Sequence, residues 1–236
     1  MIINGLKSPN YSKKLRKKGS IKFVIIHYTG MQSIGESIKR LCNSKSKVSS
    51  HYIIDRDGKI YQLVEDLKIA WHAGKSKWDK FNNLNEFSIG VELQNKGHNL
   101  GYQNFSKKQI RSLINLGKKL KINYKIKSKN FLGHSDIAPL RKVDPGPKFP
   151  WQKLSINGLG IWYKKKNIKI PSRGKNSLKN LFFKNLKFLG YRYFSKKFRR
   201  PSDNRIIIAF QSKYLPRNIS GYIDKKTYII SQLLAR

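Results

Sequence analysis

Two hydrophobic periods follow one another along the first two-thirds of the chain. Short β-branched runs that end in turns predict buried strands at residues 21–30 ("IKFVIIHYTG"), 86–95 ("EFSIGVELQN") and, more briefly, 130–135 ("NFLGHS"). Two further β-rich runs flank Arg-Asp-Gly within residues 50–64 and predict a hairpin. The strand signals therefore recur throughout this part of the sequence.

Helical periodicity lies between these runs. Residues 33–43 predict a helix with Ser33 as N-cap and Glu36 three positions later, which is the capping-box pattern. Residues 106–124 predict a longer helix with one apolar stripe, formed by Ile110, Leu113, Ile114, Gly117 and Leu120. Interleaved strands and helices predict an α/β fold, a mixed central sheet flanked by helices, over residues 1–165.

The alternation of predicted strands and helices ends at about residue 165. Residues 166–176 are basic, contain Pro and Gly without periodicity, and are interpreted as a linker. Residues 177–236 predict a small three-helix domain. Its first helix has an apolar stripe closed by Gly190 as the C′ residue, and the stripe contains Leu178, Leu181, Phe182, Leu186 and Leu189.

Composition excludes several classes of protein. A hydrophobic fraction of 39% with 12% aromatic residues indicates a folded chain rather than a disordered one. No apolar run reaches the roughly 18 residues of a membrane span. The N-terminal segment has no evident secretory signal, so we expect a cytoplasmic protein, with the cell envelope as the alternative. Cys42 is the single cysteine, which excludes an intrachain disulfide and a thiolate zinc cluster.

The charge is extreme: 51 Lys and Arg against 12 Asp and Glu give a formal net charge of +39. Such a balance predicts a polyanionic partner, namely nucleic acid, an acidic membrane surface or an anionic wall polymer. The alternative is a compositional bias in which scattered lysines form a solvated surface. No helix-turn-helix or RNA-recognition signature is present, so no specific nucleic-acid partner is predicted.

Candidate chemistry concentrates at residues 131–151, "FLGHSDIAPLRKVDPGPKFPW". This segment contains His134, Asp136 and Asp144, and His27 ends the first predicted strand. Two imidazoles and one carboxylate suit zinc, with the fourth position left to water. The residues alone do not choose between Asp136 and Asp144. Glu92 interrupts an apolar strand pattern and is therefore either paired or functional.

Five segments in order carry a family resemblance: "IIHYTG", "SSHYIIDRDGKIYQLV", "AWHAGKSKW", "LNEFSIGVELQN" and "GHSDIAPLRKVDPGPKFPW". Together they resemble the zinc-dependent N-acetylmuramoyl-L-alanine amidases of the amidase type 2 family, most closely the AmiD and AmpD branch. The resemblance covers residues 21–162. It implies a mixed sheet with helices on its faces and one Zn²⁺ in a groove at one edge.

The resemblance also implies residue roles. It places the zinc ligands on His27, His134 and Asp144, which leaves Asp136 as a structural neighbour. It places the general acid/base on Glu92 and the catalytic lysine on Lys142. We interpret three more residues of these segments as substrate contacts: Trp71, His72 and Arg141. The alternatives are a core position for Trp71 and a hydrogen-bonded loop position for His72. His51 and His98 are interpreted as structural and loop histidines.

The implied reaction is hydrolysis of the amide between the lactyl group of N-acetylmuramic acid and L-alanine, in peptidoglycan or in (anhydro)muropeptides. The alternative is a non-catalytic basic protein that binds peptidoglycan glycan or nucleic acid. Residues 177–236 resemble the peptidoglycan-binding type 1 domain in their "LGY", "AFQ" and "GYIDKKT" fragments. That resemblance implies a module that tethers the enzyme to its polymer. The alternative is a helical appendage that only packs on the first domain.

Overall fold

The computed structural model describes residues 2–164, 175–195 and 199–235. The strands are β1 (Ile2–Ile3), β2 (Tyr11–Ser12), β3 (Phe23–Tyr28), β4 (Tyr52–Ile54), β5 (Ile60–Gln62), β6 (Ile69–Ala70), β7 (Lys77–Trp78), β8 (Phe81–Asn82), β9 (Ser88–Leu93) and β10 (Phe131–Gly133). The α-helices are α1 (Ile34–Leu41), α2 (Lys107–Tyr124), α3 (His134–Ile137), α4 (Trp151–Ile156), α5 (Lys175–Leu189), α6 (Asp203–Tyr214) and α7 (Lys225–Leu234). Short 3₁₀ helices lie at Lys18–Ser20, Ser44–Ser46, Leu84–Phe87, His98–Leu100 and Ser128–Asn130.

A six-stranded mixed sheet in the order β1-β5-β4-β9-β3-β10 forms the centre of the fold. The hairpin pair β4–β5 is antiparallel, whereas β4–β9, β9–β3 and β3–β10 are parallel. Two small antiparallel pairs, β2–β6 and β7–β8, lie outside this sheet. The predicted α/β class and the predicted hairpin are confirmed.

The period-two alternation of the central strands divides the core into layers. Val24 and Ile26 pack with the apolar stripe of α2 on one face of the sheet. Phe23 and Ile25 point to the opposite face and pack with the C-terminal helices. His27 continues this second set, so its imidazole emerges on the face that α2 does not cover.

Helix starts follow the capping chemistry of the sequence. Ser33 Oγ accepts a hydrogen bond from Glu36 N–H at 3.2 Å, as predicted for the N-cap of α1. The Glu36 carboxylate bonds the N–H of Gln32, one residue before the cap, rather than Ser33 itself. At the other end of the chain, Gly190 adopts φ +117 directly after α5, which confirms it as the residue that ends this helix.

The C-terminal helices share a core with the sheet. Phe182, Ile206 and Phe210 are fully buried in one cluster with Phe23 and Ile25 of β3. The three predicted C-terminal helices are thus present, packed against the uncovered sheet face. Of the predicted linker at 166–176, residues 166–174 lie outside the described residues. Its last two positions belong to α5, which begins at Lys175. In the described ranges, no helix combines the length and apolar character needed to cross a membrane.

Asp136 does not face the same way as His134. An extended chain would have placed both side chains on one side, but the backbone turns into α3 at His134. Asp136 Oδ2 instead accepts a hydrogen bond from Gly133 N–H at 2.8 Å and an ion pair from Lys213 Nζ at 2.6 Å. Burial lowers the pKa of Lys213, and the facing Asp136 carboxylate opposes that shift.

We expect Phe182→Ala to reduce the free energy of unfolding by about 3–5 kcal/mol, because it leaves a cavity in the core that the helices share with the sheet. Phe188→Ala is the matched control on the same helix: Phe188 is 75% exposed, so its loss should change stability by less than about 0.5 kcal/mol. Urea denaturation of both variants measures the difference. Equal losses of unfolding free energy in the two variants would contradict the burial of Phe182 in a core shared by the C-terminal helices and the sheet.

Candidate metal centre

Three side-chain atoms converge where β3 and β10 end. His27 Nδ1 lies 3.0 Å from His134 Nδ1 and 3.1 Å from Asp144 Oδ2, and His134 Nδ1 lies 3.1 Å from the same oxygen. His27 is the fifth residue of β3, and His134 directly follows the parallel neighbour β10. Asp144 comes from the loop after α3, where its peptide bond to Pro145 is cis. All three residues are buried.

The donor set fits a zinc ion. Two imidazole nitrogens and one carboxylate oxygen are ligands that zinc takes, and three protein ligands leave a position open. In a tetrahedron with ligand distances of about 2.0–2.1 Å, the corners lie about 3.3 Å apart. The three separations in the structure are close to that value, so a modest outward movement of the side chains accommodates the ion. His27, His134 and Asp144 form the one such group found among the described residues.

Hydrogen bonds fix the tautomer of His27. Its Nε2 lies 3.0 Å from His72 Nδ1, and His72 Nε2 lies 3.2 Å from Ser88 Oγ, whose hydroxyl donates to the Leu84 carbonyl. Because the Ser88 hydroxyl donates its proton to Leu84, its oxygen accepts from His72 Nε2–H. His72 Nδ1 then has no proton and accepts from His27 Nε2–H. His27 Nδ1 then carries a free lone pair, which a metal ligand requires.

His134 is oriented by the backbone. Its Nε2 donates to the Ala73 carbonyl at 3.1 Å, which leaves Nδ1 as the lone-pair nitrogen directed at His27 and Asp144. The Arg141 guanidinium donates to the carbonyls of Ala73 and Lys75 and so holds this loop in place. Each candidate imidazole ligand therefore has a hydrogen-bond acceptor behind it.

Strand β9 supplies the rest of this surface. Ser88, Gly90 and Glu92 alternate on the face opposite α2, and Glu92 is the register partner of His27 in β3. The His72 ring lies directly over Gly90, where a Cβ would come within 2.4 Å of its Cγ. Only glycine leaves room for that ring. The position thus keeps His72 within reach of both Ser88 and His27.

The comparisons with known proteins agree with this geometry. The family model described as N-acetylmuramoyl-L-alanine amidase matches residues 17–147, more than half of the chain. The chain belongs to the N-acetylmuramoyl-L-alanine amidase family. The amidase AmiD of Escherichia coli K12 is 36% identical over 229 residues, a match that covers 91% of this chain and 82% of AmiD.

Solved amidase structures share the fold. A complex of E. coli AmiD with the substrate anhydro-N-acetylmuramic acid-L-Ala-D-gamma-Glu-L-Lys has a TM-score of 0.78 at 34% identity, covering 91% of this chain and 88% of AmiD. AMPDH3 from Pseudomonas aeruginosa, in complex with anhydromuramic pentapeptide, has a TM-score of 0.81 at 27% identity, covering 98% and 97%. The mixed sheet of this amidase with its flanking helices is the fold of these enzymes.

The electrostatics of the amidase site suit metal binding. Burial lowers the pKa of His27 to about 4, and the neighbouring His134 contributes to that shift, so the imidazole is neutral at neutral pH. Burial raises the pKa of Asp144, but the two facing imidazoles outweigh it and hold that pKa well below its usual range. Neutral imidazoles and an anionic carboxylate are the forms that bind a metal ion.

Glu92 has the least satisfied carboxylate of the site. Burial and the nearby Asp144 charge raise its pKa to about 8, while Lys142 opposes the shift. Its Oε2 is buried and has no hydrogen-bond partner. A buried carboxylate oxygen without a partner is costly unless a ligand satisfies it. Glu92 and Lys142 line the same cavity of about 360 Å³ as the three candidate ligands.

The predicted substrate contacts all border this cavity, in different surroundings. Trp71 is half-buried, with its Nε1–H donating to Ser12 Oγ. Arg141 uses Nε and Nη2 on the loop carbonyls described above. His72 uses both ring nitrogens on His27 and Ser88, so neither is free for a substrate, and its contacts are those of a residue that orients His27.

Sequence reasoning missed part of the cavity rim. Tyr28 directly follows His27, and its hydroxyl lies 2.8 Å from His98 Nδ1. His98 in turn stacks on Tyr102 with ring centroids 4.4 Å apart. Tyr28 could have been found, since it ends the same strand as a predicted ligand. His98 is interpreted from sequence only as a loop residue, because no local pattern places its loop against β3. His51 is fully buried and accepts Gly90 N–H, consistent with a structural histidine.

We expect His72→Phe to weaken zinc binding about 10–100-fold, because His27 loses the acceptor that fixes its tautomer and ring orientation. Competition against a chromophoric chelator measures the dissociation constant. His98→Phe is the control, since it removes an imidazole at the cavity rim that touches no candidate ligand. Unchanged zinc affinity in His72→Phe would remove His72 from the support of His27.

Proposed function

We propose that this chain hydrolyses the amide bond between the lactyl group of N-acetylmuramic acid and L-alanine, with one zinc ion held by His27, His134 and Asp144. The observation that carries the proposal is the pairing of this ligand set with Glu92. A partnerless buried carboxylate oxygen lines the same cavity as three convergent metal ligands. Family membership supplies the reaction class.

A zinc ion bound to these ligands would polarise the scissile carbonyl and lower the pKa of water from about 15.7 towards 7. The protein contributes the shape and charge of the site. His72 and the Ala73 carbonyl orient the His27 and His134 rings, so that Nδ1 of each ring is directed at the site. Asp144 supplies the one negative charge of the ligand set.

Glu92 is proposed as the group that moves the proton. Its carboxylate takes a proton from the attacking water as the water oxygen bonds to the carbonyl carbon, and delivers that proton to the nitrogen of the leaving L-alanine as the C–N bond breaks. The second water proton passes from the new carboxyl group to the amine, so the products are a carboxylate and an ammonium group. The raised pKa of Glu92, about 8 before any metal charge acts on it, makes both transfers accessible near neutral pH. The position of Glu92, beside His27 across β3 and β9, supports this role.

Lys142 is proposed to stabilise the oxyanion that develops on the attacked carbonyl. Its ammonium group borders the cavity and lies close enough to lower the pKa values of both Glu92 and His27. A positive charge placed beside the reacting carbonyl stabilises the negative charge that develops on its oxygen. In this proposal Lys142 acts on the carbonyl oxygen, whereas Glu92 acts on the nitrogen that leaves the carbonyl carbon.

The substrate class is proposed to include small anhydromuropeptides as well as polymer. The two related structures described above hold anhydromuramyl peptides, and nearly the whole of this chain aligns with each. Trp71 offers a half-buried ring to a sugar or stem peptide, and Arg141 offers its remaining Nη1 group to a stem-peptide carboxylate. Tethering of the enzyme to polymer by the C-terminal helices stays a prediction, since the family match ends at residue 147.

We expect purified protein to contain about one zinc per chain and to release stem peptide from a soluble anhydromuropeptide. Chelation should abolish release, and added Zn²⁺ should restore it, because the three ligand side chains offer no positive charge of their own to polarise the carbonyl. Mass spectrometry of the products and elemental analysis measure both quantities. Full release after complete removal of the metal would reject the zinc mechanism, and no release with zinc bound would favour a non-catalytic binder.

We expect Glu92→Gln to retain zinc but to lower kcat about 10²–10⁴-fold, because the amide cannot carry the proton between water and the leaving nitrogen. Glu65→Gln is the matched control: Glu65 is an exposed carboxylate paired with Lys68, and its variant should keep wild-type kcat. Turnover of the same soluble muropeptide at saturating zinc measures both. Wild-type turnover in Glu92→Gln would take Glu92 out of the reaction.

A further inference from the structure

A second buried polar cluster lies directly behind the metal centre and joins it to the C-terminal helices. Asp136 Oδ2 pairs with Lys213 Nζ of α6 at 2.6 Å, and Asp136 Oδ1 accepts a hydrogen bond from Tyr191 Oη at 2.6 Å. The side chains of Asp136 and Lys213 are 1% and 5% exposed. The Lys213 ammonium also lies 4.1 Å from the centre of the Trp151 ring. Both oxygens of the Asp136 carboxylate are thus satisfied by protein donors.

The same carboxylate holds the backbone that presents His134. Asp136 Oδ2 accepts from Gly133 N–H, the peptide immediately before the ligand, and both residues belong to the turn that α3 forms. Ser135 N–H, within that turn, donates to the Asp144 carbonyl at 2.9 Å. Movement of Asp136 would therefore displace the backbone of His134 and of Asp144 together.

A second contact from α6 reaches the loop between these two ligands. Arg205 Nη1 donates to the Leu140 carbonyl at 2.5 Å, and Leu140 lies between His134 and Asp144 in the sequence. Tyr193 Oη reaches the Lys75 carbonyl at 3.3 Å, in the loop whose Ala73 carbonyl orients His134. The C-terminal segment thus contacts the surroundings of the candidate ligands at three points: the Asp136 carboxylate, the Leu140 carbonyl and the Lys75 carbonyl.

A buried ion pair is not needed merely to attach a helix. Replacing such a pair with apolar residues of similar volume is often neutral or stabilising, because both charges lose their hydration. The apolar residues around Phe182 and Phe210 already provide the attachment. What the pair adds is direction: a carboxylate that accepts bonds from Gly133, Tyr191 and Lys213 together is held in one orientation.

We propose that Lys213, assisted by Tyr191, is a positioning residue of the metal centre: it holds Asp136, and through Asp136 the turn that presents His134 and Asp144, so that the C-terminal helices set the zinc affinity of the catalytic site. This inference rests on the proposed zinc site. It assigns to the C-terminal helices a role in the chemistry of the active site, separate from any binding of polymer.

Lys213→Met in the chain of 236 residues tests the inference. The variant keeps most of the length of the unbranched side chain but leaves the Asp136 carboxylate buried without its cation. We expect about tenfold weaker zinc binding, at the low end of the loss that follows mutation of groups supporting metal ligands. Chelator competition measures the dissociation constant at a temperature where thermal unfolding shows the variant fully folded. Lys226→Met, at an exposed position of α7, is the matched control and should bind zinc like wild type.

The double variant Asp136→Asn/Lys213→Met separates positioning from general damage. The amide introduced in place of the Asp136 carboxylate still offers an oxygen to Gly133 N–H, and no unpaired charge remains. We therefore expect zinc affinity to recover to within about threefold of wild type. Loss of affinity in Lys213→Met without recovery in the double variant would assign the effect to packing and overturn the inference.

Wild-type zinc affinity in folded Lys213→Met would also overturn it. If Lys213→Met does not fold, Tyr191→Phe decides, since it removes a single hydrogen bond from Asp136: about threefold weaker zinc binding supports the inference and unchanged binding overturns it. The proposed function fails separately. Wild-type protein that binds no zinc rejects the zinc site itself, whereas normal binding by wild type and by every variant rejects only the role of Lys213.

Discussion

The parallel pairing of β9, β3 and β10 is the constraint on which the site depends. Side chains on neighbouring parallel strands that share a register point to the same face, so His27 and Glu92 are brought side by side by backbone hydrogen bonds alone. The third strand places His134 at the same edge as its chain leaves the sheet. A slip of one residue would turn the imidazole of His27 into the core beneath α2.

Acidic residues are few in this chain, and the structure shows where three of them are used. Asp144 and Glu92 line the cavity, and Asp136 lies behind it, in a chain dominated by Lys and Arg. Asp144 and Asp136 are buried and Glu92 is half-buried, and each carboxylate has a different electrostatic environment. Asp144 faces two imidazoles, Asp136 forms an ion pair with Lys213, and Glu92 has an oxygen without a hydrogen-bond partner. The surroundings alone thus give one functional group three different electrostatic properties, which agree with the roles proposed for Asp144 as a ligand and Glu92 as a proton carrier.

Local pattern was sufficient for most of the fold. The β-branched run that ends in His27 became β3, the stripe of α2 is buried as predicted, and Ser33 caps α1. The resemblance, rather than the residues, singled out Asp144, because the choice against Asp136 depends on the chain turning helical at His134. The role of His72 depends on the small volume at Gly90, 18 positions away along the chain. Contacts of this kind depend on tertiary packing, which no short window of sequence contains.

The two parts of the chain that the sequence separates are not interchangeable modules. The sheet face carrying Phe23 and Ile25 is completed by Phe182, Ile206 and Phe210, and in isolation it would expose a continuous apolar area to water. Any relative that lacks these helices has to cover that face by other means. Fusing the C-terminal helices to another enzyme would therefore expose the apolar side chains that pack against β3 here. Deleting the helices from this chain would expose the sheet face, which would favour self-association.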